Sequence, residues 1–348
     1  MKVGIVGLGG AGKTTIFNAL TGLRVETGPG GKRTEHMGVI KVPDPRVERL
    51  ADMHHSRKRV YAEVTFVDVA AGPDLSAGRA ALPRTVIGAM QGCDALVLVL
   101  RAFANPALAE PADPERDLRT LQAELILADL GPLENRRERL KKEPGRPGEK
   151  ELLERCIGEL EAERPLSALG LSPEEQQLLV GFGLLSTKPL LYLLNQDEGD
   201  FTGAVPPALA AAAGEAPLLA LSAKIEMDIA ELSPEEQPEF LAALGLERSA
   251  RDRFVQAAYG LLDLISFLTT GPDESRAWPI RRGTTAVKAA GRIHSDIERG
   301  FIRAEVIAYD ALVALGGEKQ ARDAGKLRLE GKEYVMHDGD VVEFRFNV

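Results

Sequence analysis

Residues 7–14 read Gly7-Leu8-Gly9-Gly10-Ala11-Gly12-Lys13-Thr14 and satisfy G-x-x-x-x-G-K-[ST] at every fixed position. An apolar run, Val3-Gly4-Ile5-Val6, precedes them and reads as a buried strand. Ile16, Phe17, Ala19 and Leu20 follow at helical spacing. Strand, glycine loop and helix are the context in which such a loop binds phosphate. The glycines let backbone N–H groups turn inward, and the helix N-terminus adds its positive end. Gly9, Gly10, Ala11 and Gly12 supply the cradle, Lys13 the charge for the β- and γ-phosphates, and Thr14, followed by Thr15, the hydroxyl for Mg²⁺. Gly7-x-Gly9-x-x-Gly12 also fits a dinucleotide fingerprint. No acidic residue ends a second strand at the expected spacing, and Lys13-Thr14 favours a triphosphate.

Working outward, residues 60–69 form an apolar, β-branched run holding Asp68, a carboxylate suited to Mg²⁺ or, more simply, to capping a turn. Residues 95–100 (ALVLVL) have the continuous apolar character of a parallel strand buried on both faces. Residues 189–194 and 217–221 read as further strands, with helical patterns between. The alternation predicts an α/β fold, a doubly wound and mostly parallel sheet. After the later strands come Asn195 and Glu198, an N-x-x-E variant of the guanine-reading N-K-x-D loop, and Ser222-Ala223-Lys224, the short S-A-K loop of the same proteins. Each match is weak alone; their order behind a phosphate loop is what makes them informative.

Residues 111–187 change texture. Leu118, Leu121, Leu125 and Leu133 recur among charges, EPGRPGE at 143–149 interrupts, and Leu152, Leu153, Ile157 and Leu160 follow. This predicts an inserted helical hairpin, or two ordinary surface helices. From residue 276 short strands and tight turns predict a small β-rich domain, with strands at 301–307, 332–336 and 341–348. The expected domains are therefore 1–110 with 188–275, 111–187, and 276–348.

Composition bounds the function. The net charge is −9, so the whole chain is no magnet for nucleic acid. Residues 276–348 carry 13 Lys and Arg against 11 Asp and Glu, and the remainder 30 against 41. Cys93 and Cys156 are the only cysteines, which gives no disulfide framework or CxxC pair and suits a reducing cytoplasm. No apolar run approaches a membrane span. His54-His55 lacks accompanying ligands and reads as a basic loop; His294 and His337 read as surface or structural residues. No hydrolytic triad is suggested.

Taken together the motifs resemble the Obg-like ATPase (YchF) family of P-loop NTPases over most of the chain. Beside the phosphate loop, the resemblance rests on VPDPR (42–46), FVDVA (66–70), ELILADL (124–130), STKPLLYLLNQDE (186–198), LSAKIE (221–226), RAWPI (276–280), AAGRIHSDIERGFIRAEV (289–306) and EGKEYVMHDGDVVEFRFNV (330–348). It implies a nucleotide-binding domain, a helical hairpin and a C-terminal β-grasp (TGS) domain. It also implies an ATP-tolerant base loop, Mg²⁺ with ATP or GTP as ligands, Lys13 and Asp68 as the catalytic groups, and a ribosome or ribosomal RNA as partner. Two departures bear on hydrolysis. Ala71 stands where the family's D-x-A-G has glycine, with Gly72 one residue later, and GKRTEHMGV leaves Thr34 as the candidate switch threonine. The expected function is a slow Mg²⁺-dependent NTPase switch at the ribosome. The alternatives are a nucleotide sensor with little hydrolysis, acting through its TGS-like domain, and a scaffold with an empty phosphate loop.

Overall fold

The computed structural model describes residues 1–26, 35–69, 82–142, 145–233, 235–246 and 249–347. Expectations about Thr34, Ala71 and Gly72 fall outside these residues. The chain forms two compact units, residues 1–39 with 65–257, and residues 40–64 with 258–348.

Seven strands come first in the chain: β1 (Lys2–Gly7), β2 (His36–Lys41), β3 (Lys58–Val60), β4 (Glu63–Asp68), β5 (Ala95–Ala102), β6 (Leu190–Gln196) and β7 (Leu218–Leu221). Six of them make one sheet in the order β2-β4-β1-β5-β6-β7. Strand β1 runs parallel to β4 and β5, β5 to β6, and β6 to β7. Strand β5 shows why the chain folds this way. Its whole span from Ala95 to Arg101 is buried. Leu96, Leu98 and Leu100 join the cluster of Leu118, Leu121 and Leu125 from the helix Pro114–Leu140, while Val97 and Val99, alternating with them, point to the opposite face. Both faces are therefore covered, as in a doubly wound sheet. The chain first winds from β1 toward β4 and β2, then reverses to β5. The carboxyl ends of β1 and β5 thus flank a topological switch point, where open α/β sheets bind ligands.

The helices Pro114–Leu140 and Glu149–Glu161 pack together and, with Leu166, Leu179 and Leu184, bury their own apolar cluster. Arg136 donates from Nε and Nη2 to the two oxygens of Glu149 at 2.7 and 3.1 Å across the pair. The ELILADL stretch fixes this hairpin to the sheet through its carboxylates. Glu124 accepts from Leu82 N–H at 2.8 Å, and Asp129 accepts from Leu185 N–H, Ser186 N–H and Ser186 Oγ at 2.6–2.7 Å. Burial raises the Asp129 pKa, and those donors oppose the shift.

The second unit holds β8 (Leu264–Thr269), β9 (Glu274–Arg281), β10 (Phe301–Ala308), β11 (Arg328–Glu330) and β12 (Asp340–Phe346) in the order β11-β10-β12-β8-β9-β3. The amphipathic helix Ala286–Ile293 places Ala286, Ala289 and Ala290 in the cluster of Ile265, Phe267, Ile280 and Phe344. A mixed sheet holding one helix in this way is the β-grasp, TGS-like arrangement.

Three expectations change. The run at 60–69 is not one strand: β3 and β4 join different sheets, with Tyr61 and Ala62 between them. Residues 332–336 are turns with a single bridge, Thr285 to Val335, because Gly331 and the turn at His337 leave no room for a ladder. The second unit begins at residue 258 and takes in residues 40–64, whereas a start at 276 was expected. VPDPR explains that segment. Asp44 caps the helix Pro45–His54, and Arg46 reaches both Asp44, at 2.8 Å, and Asp338, at 2.8 Å. Asp338 also accepts from Ser266 N–H on β8 at 2.8 Å. Burial alone would lower the Arg46 pKa. Its hydrogen bonds and charge contacts with the two aspartates outweigh that and hold it above the ordinary arginine range.

Candidate nucleotide site

Four strands of the first sheet, β1, β4, β6 and β7, bring the sequence-nominated residues to their carboxyl ends. Residues 8–12 leave β1 and enter the helix Lys13–Thr21. Gly12 is its N-cap, with φ 87° and no side-chain cap, so the first N–H groups of the helix have no side-chain cap partner. Gly10 also has φ 73°, a left-handed conformation that glycine takes without strain.

Lys13 is 6% exposed, and its Nζ donates to Leu8 O at 2.8 Å, arching back over the loop. Burial brings its pKa down from 10.5 to about 8 against the opposing pull of the Asp68 charge. Thr14 Oγ1 donates to Asp68 Oδ2 at 2.8 Å. The other Asp68 oxygen, Oδ1, is buried and has no hydrogen-bond partner among the described residues. A hydroxyl and a carboxylate oxygen side by side, one of them orphaned, form the hard-oxygen set that suits Mg²⁺.

Asn195, buried at the end of β6, donates from Nδ2 to Ala11 O at 3.1 Å and accepts from Ala223 N–H at 3.0 Å. One side chain therefore ties the phosphate loop to the S-A-K loop. The approach is close: a Cβ on Gly12 would stand 2.3 Å from Asn195 Nδ2. Ser222 Oγ is buried and unpartnered beside Ala223. Glu198 and Lys224 form an ion pair with side chains 43% and 63% exposed. Gln196 is occupied in shaping its own loop, since it donates to Ala204 O at 3.0 Å and accepts from Gly203 N–H at 3.2 Å. Two residues beyond Lys224, buried Glu226 accepts from Ala250 N–H at 2.7 Å and Arg251 N–H at 3.1 Å, at the start of the helix Ala250–Leu261.

Sequence reasoning missed a further layer. Arg101, one residue before the end of β5, is 4% exposed and donates to Phe103 O, Glu110 O and Pro111 O at 2.9–3.2 Å. Asn105, on the loop so gathered, donates to Gly10 O at 3.3 Å. An arginine inside an otherwise apolar strand is the one signal the sequence held.

His54 and His55 end the Pro45–His54 helix, with His55 in the left-handed C-cap position. Among the described residues no group of three or more His, Cys, Asp and Glu is arranged to hold a metal, and no helix is long and apolar enough to cross a membrane.

A β1–loop–helix phosphate cradle at the switch point, with a buried lysine arched over the loop and a hydroxyl bonded to a strand-end carboxylate, defines a P-loop NTPase. Residues 2–130 match the family profile described as a 50S ribosome-binding GTPase, and residues 264–347 match that of the YchF GTPase C-terminal domain, a protein of unknown function. The chain is 38% identical over 364 residues to the ribosome-binding ATPase YchF of Bacillus subtilis, covering 100% of both. It is 33% identical over 366 residues to Obg-like ATPase 1 of rice (Oryza sativa subsp. japonica), covering 100% of this chain and 92% of that one. The solved YchF GTPase of Schizosaccharomyces pombe superposes with a TM-score of 0.88 at 29% identity, over 99% of this chain and 97% of the other. The chain belongs to the YchF, or Obg-like ATPase, family.

Proposed function

We propose that this chain binds a nucleoside triphosphate with Mg²⁺, prefers ATP, hydrolyses it slowly, and uses the bound nucleotide to govern its association with the ribosome. The observation that carries the reading is the Thr14–Asp68 contact with its orphaned Oδ1 beside Lys13. Thr14 and Asp68 are the residues to hold Mg²⁺, Asp68 directly or through water, and Lys13 with the loop N–H groups holds the β- and γ-phosphates. Bound there, Mg²⁺ supplies charge neutralisation at those phosphates. Lys13 exchanges its bond to Leu8 O for phosphate oxygens, and the helix N-terminus adds its dipole. Asp68 is engaged by Thr14, so it is no free base for water; the residues contribute charge stabilisation. Ala71 at the usual glycine position argues for slow turnover.

Ribosome association is drawn from the likeness to the ribosome-binding ATPase of Bacillus subtilis. The face toward ribosomal RNA would be the arginines of the C-terminal unit, Arg292, Arg299 and Arg303. Arg299 pairs with Asp296, and Arg303 shares Glu305 with Arg345, so part of that charge is already met and only a modest salt dependence is expected.

The test is ATP turnover by the full chain with and without a chelator and with and without ribosomes, alongside ribosome pelleting with ATP, with ADP and without nucleotide. Slow, chelator-sensitive turnover and nucleotide-dependent pelleting are expected. Absence of nucleotide binding overturns the reading. Nucleotide-dependent pelleting without turnover selects the sensor alternative.

A further inference from the structure

Three carbonyls of the phosphate loop take a side-chain donor. Leu8 O takes Lys13 Nζ, and Ala11 O takes Asn195 Nδ2. These two follow from the family's motif residues. Gly10 O takes Asn105 Nδ2, from a segment that no motif touches.

The segment is built to hold that position. Asn105 accepts from Ala107 N–H at 3.1 Å through its side chain and from Leu108 N–H at 3.0 Å through its carbonyl, so its own turn fixes the direction of the amide. Arg101 closes the ends of the segment by donating to three carbonyls, on residues 103, 110 and 111. Arg116 adds an ion pair to Glu110 at 2.7 Å. The result lies directly on the loop: a Cβ at Gly10 would stand 2.8 Å from Asn105 Nδ2 and 2.8 Å from Leu108 Cδ1.

A peptide group is planar, so holding its carbonyl oxygen on one side fixes the following N–H on the other. The peptide between Gly10 and Ala11 is held at both ends, by Asn105 at the oxygen and by Leu8 O, which accepts from Ala11 N–H at 3.3 Å. Glycines at 9 and 10 otherwise leave this part of the cradle free to flip. We infer that Asn105, set in place by buried Arg101, is a positioning residue of the phosphate site, holding the Gly9–Gly10–Ala11 backbone in the conformation that receives the β-phosphate. This rests on the nucleotide-binding reading above.

The test uses the full chain and a fluorescent-nucleotide competition with ATP, ADP and AMP. Asn105→Ala removes the donor without adding charge. ATP and ADP should each bind about 3- to 10-fold more weakly, AMP within about twofold of the unmodified protein, and the melting temperature should hold. Asn105→Asp sets a carboxylate oxygen against the Gly10 carbonyl and should weaken ATP and ADP further. Arg101→Lys keeps the charge but cannot span three carbonyls, and should reproduce the Asn105→Ala pattern. If Asn105→Ala binds ATP and ADP within twofold of the unmodified protein, the inference is wrong. It is equally wrong if AMP affinity and melting temperature fall in parallel with the others, for then the segment is only structural. Failure of the unmodified protein to bind ATP sinks the nucleotide reading itself.

Discussion

The two ends of the nucleotide site are made differently. At the phosphate end Lys13, Asp68 and Asn195 are buried, and each is tied to backbone or to a neighbouring side chain. At the base end Glu198 and Lys224 face solvent and hold mainly each other. Phosphate recognition is thus written into the backbone and its buried struts, where a change disturbs the fold. In the reading proposed above, base recognition would rest on exposed side chains whose mutual attraction is worth little in water. Binding of a triphosphate should accordingly resist substitution at the base end, and base preference should drift easily.

The largest break should come from crowding the phosphate end itself. Gly12→Ala forces a side chain into φ 87° and against Asn195, a strain of about 1–3 kcal/mol before the clash is counted. Thermal denaturation should show the loss, and ATP binding should fall by about a hundredfold; a stable variant with full affinity would mean that the loop is not held as described. Lys13→Ala leaves the backbone intact but removes the buried charge. Triphosphate affinity should fall at least about tenfold, roughly 1.4 kcal/mol, by equilibrium binding. Retained affinity would reverse the assignment of the phosphate end.

At the base end the effects shrink. Glu198→Asp with Gln196→Lys rebuilds N-K-x-D and should move the ATP-to-GTP affinity ratio toward GTP by about tenfold, the worth of one charge-assisted hydrogen bond. The unmodified protein should bind ATP at least as well as GTP, and competition data placing GTP two orders of magnitude ahead would contradict that. Lys224→Ala should matter least. Its exposed, solvent-screened ion pair predicts an unchanged melting temperature and less than about a threefold change in the same ratio. A larger shift would show that the base end is more rigid than its exposure suggests.

The sequence was readable where chemistry restricts residue type. Gly12, Lys13, Thr14 and Asp68 have few substitutes in their roles, and the apolar run of β5 could belong only to a buried element. It was unreadable where side chains serve backbone. Arg101 and Asn105 act on carbonyls, which every residue has, so beyond the odd arginine in an apolar strand no pattern announces them. The Arg46–Asp338 contact joins residues 292 positions apart, and only a fold can show it. The break between β3 and β4 was hidden because Tyr61 and Ala62 look as strand-compatible as their neighbours.

The placing of residues 40–64 in the C-terminal unit has a consequence for synthesis. Strand β3 pairs with β9, and Arg46 waits for Asp338, so this early segment cannot find its partners until nearly the whole chain has been made. At roughly 5–20 residues per second, some 290 further residues take ~15–60 s. For that interval the helix Pro45–His54 and the short β3 stand without the sheet that completes them, although β1 and the phosphate loop beside them are already outside the exit tunnel. Chaperone dependence, pausing and sensitivity to C-terminal truncation should therefore all register in the N-terminal half of this protein, far in sequence from where the damage is done.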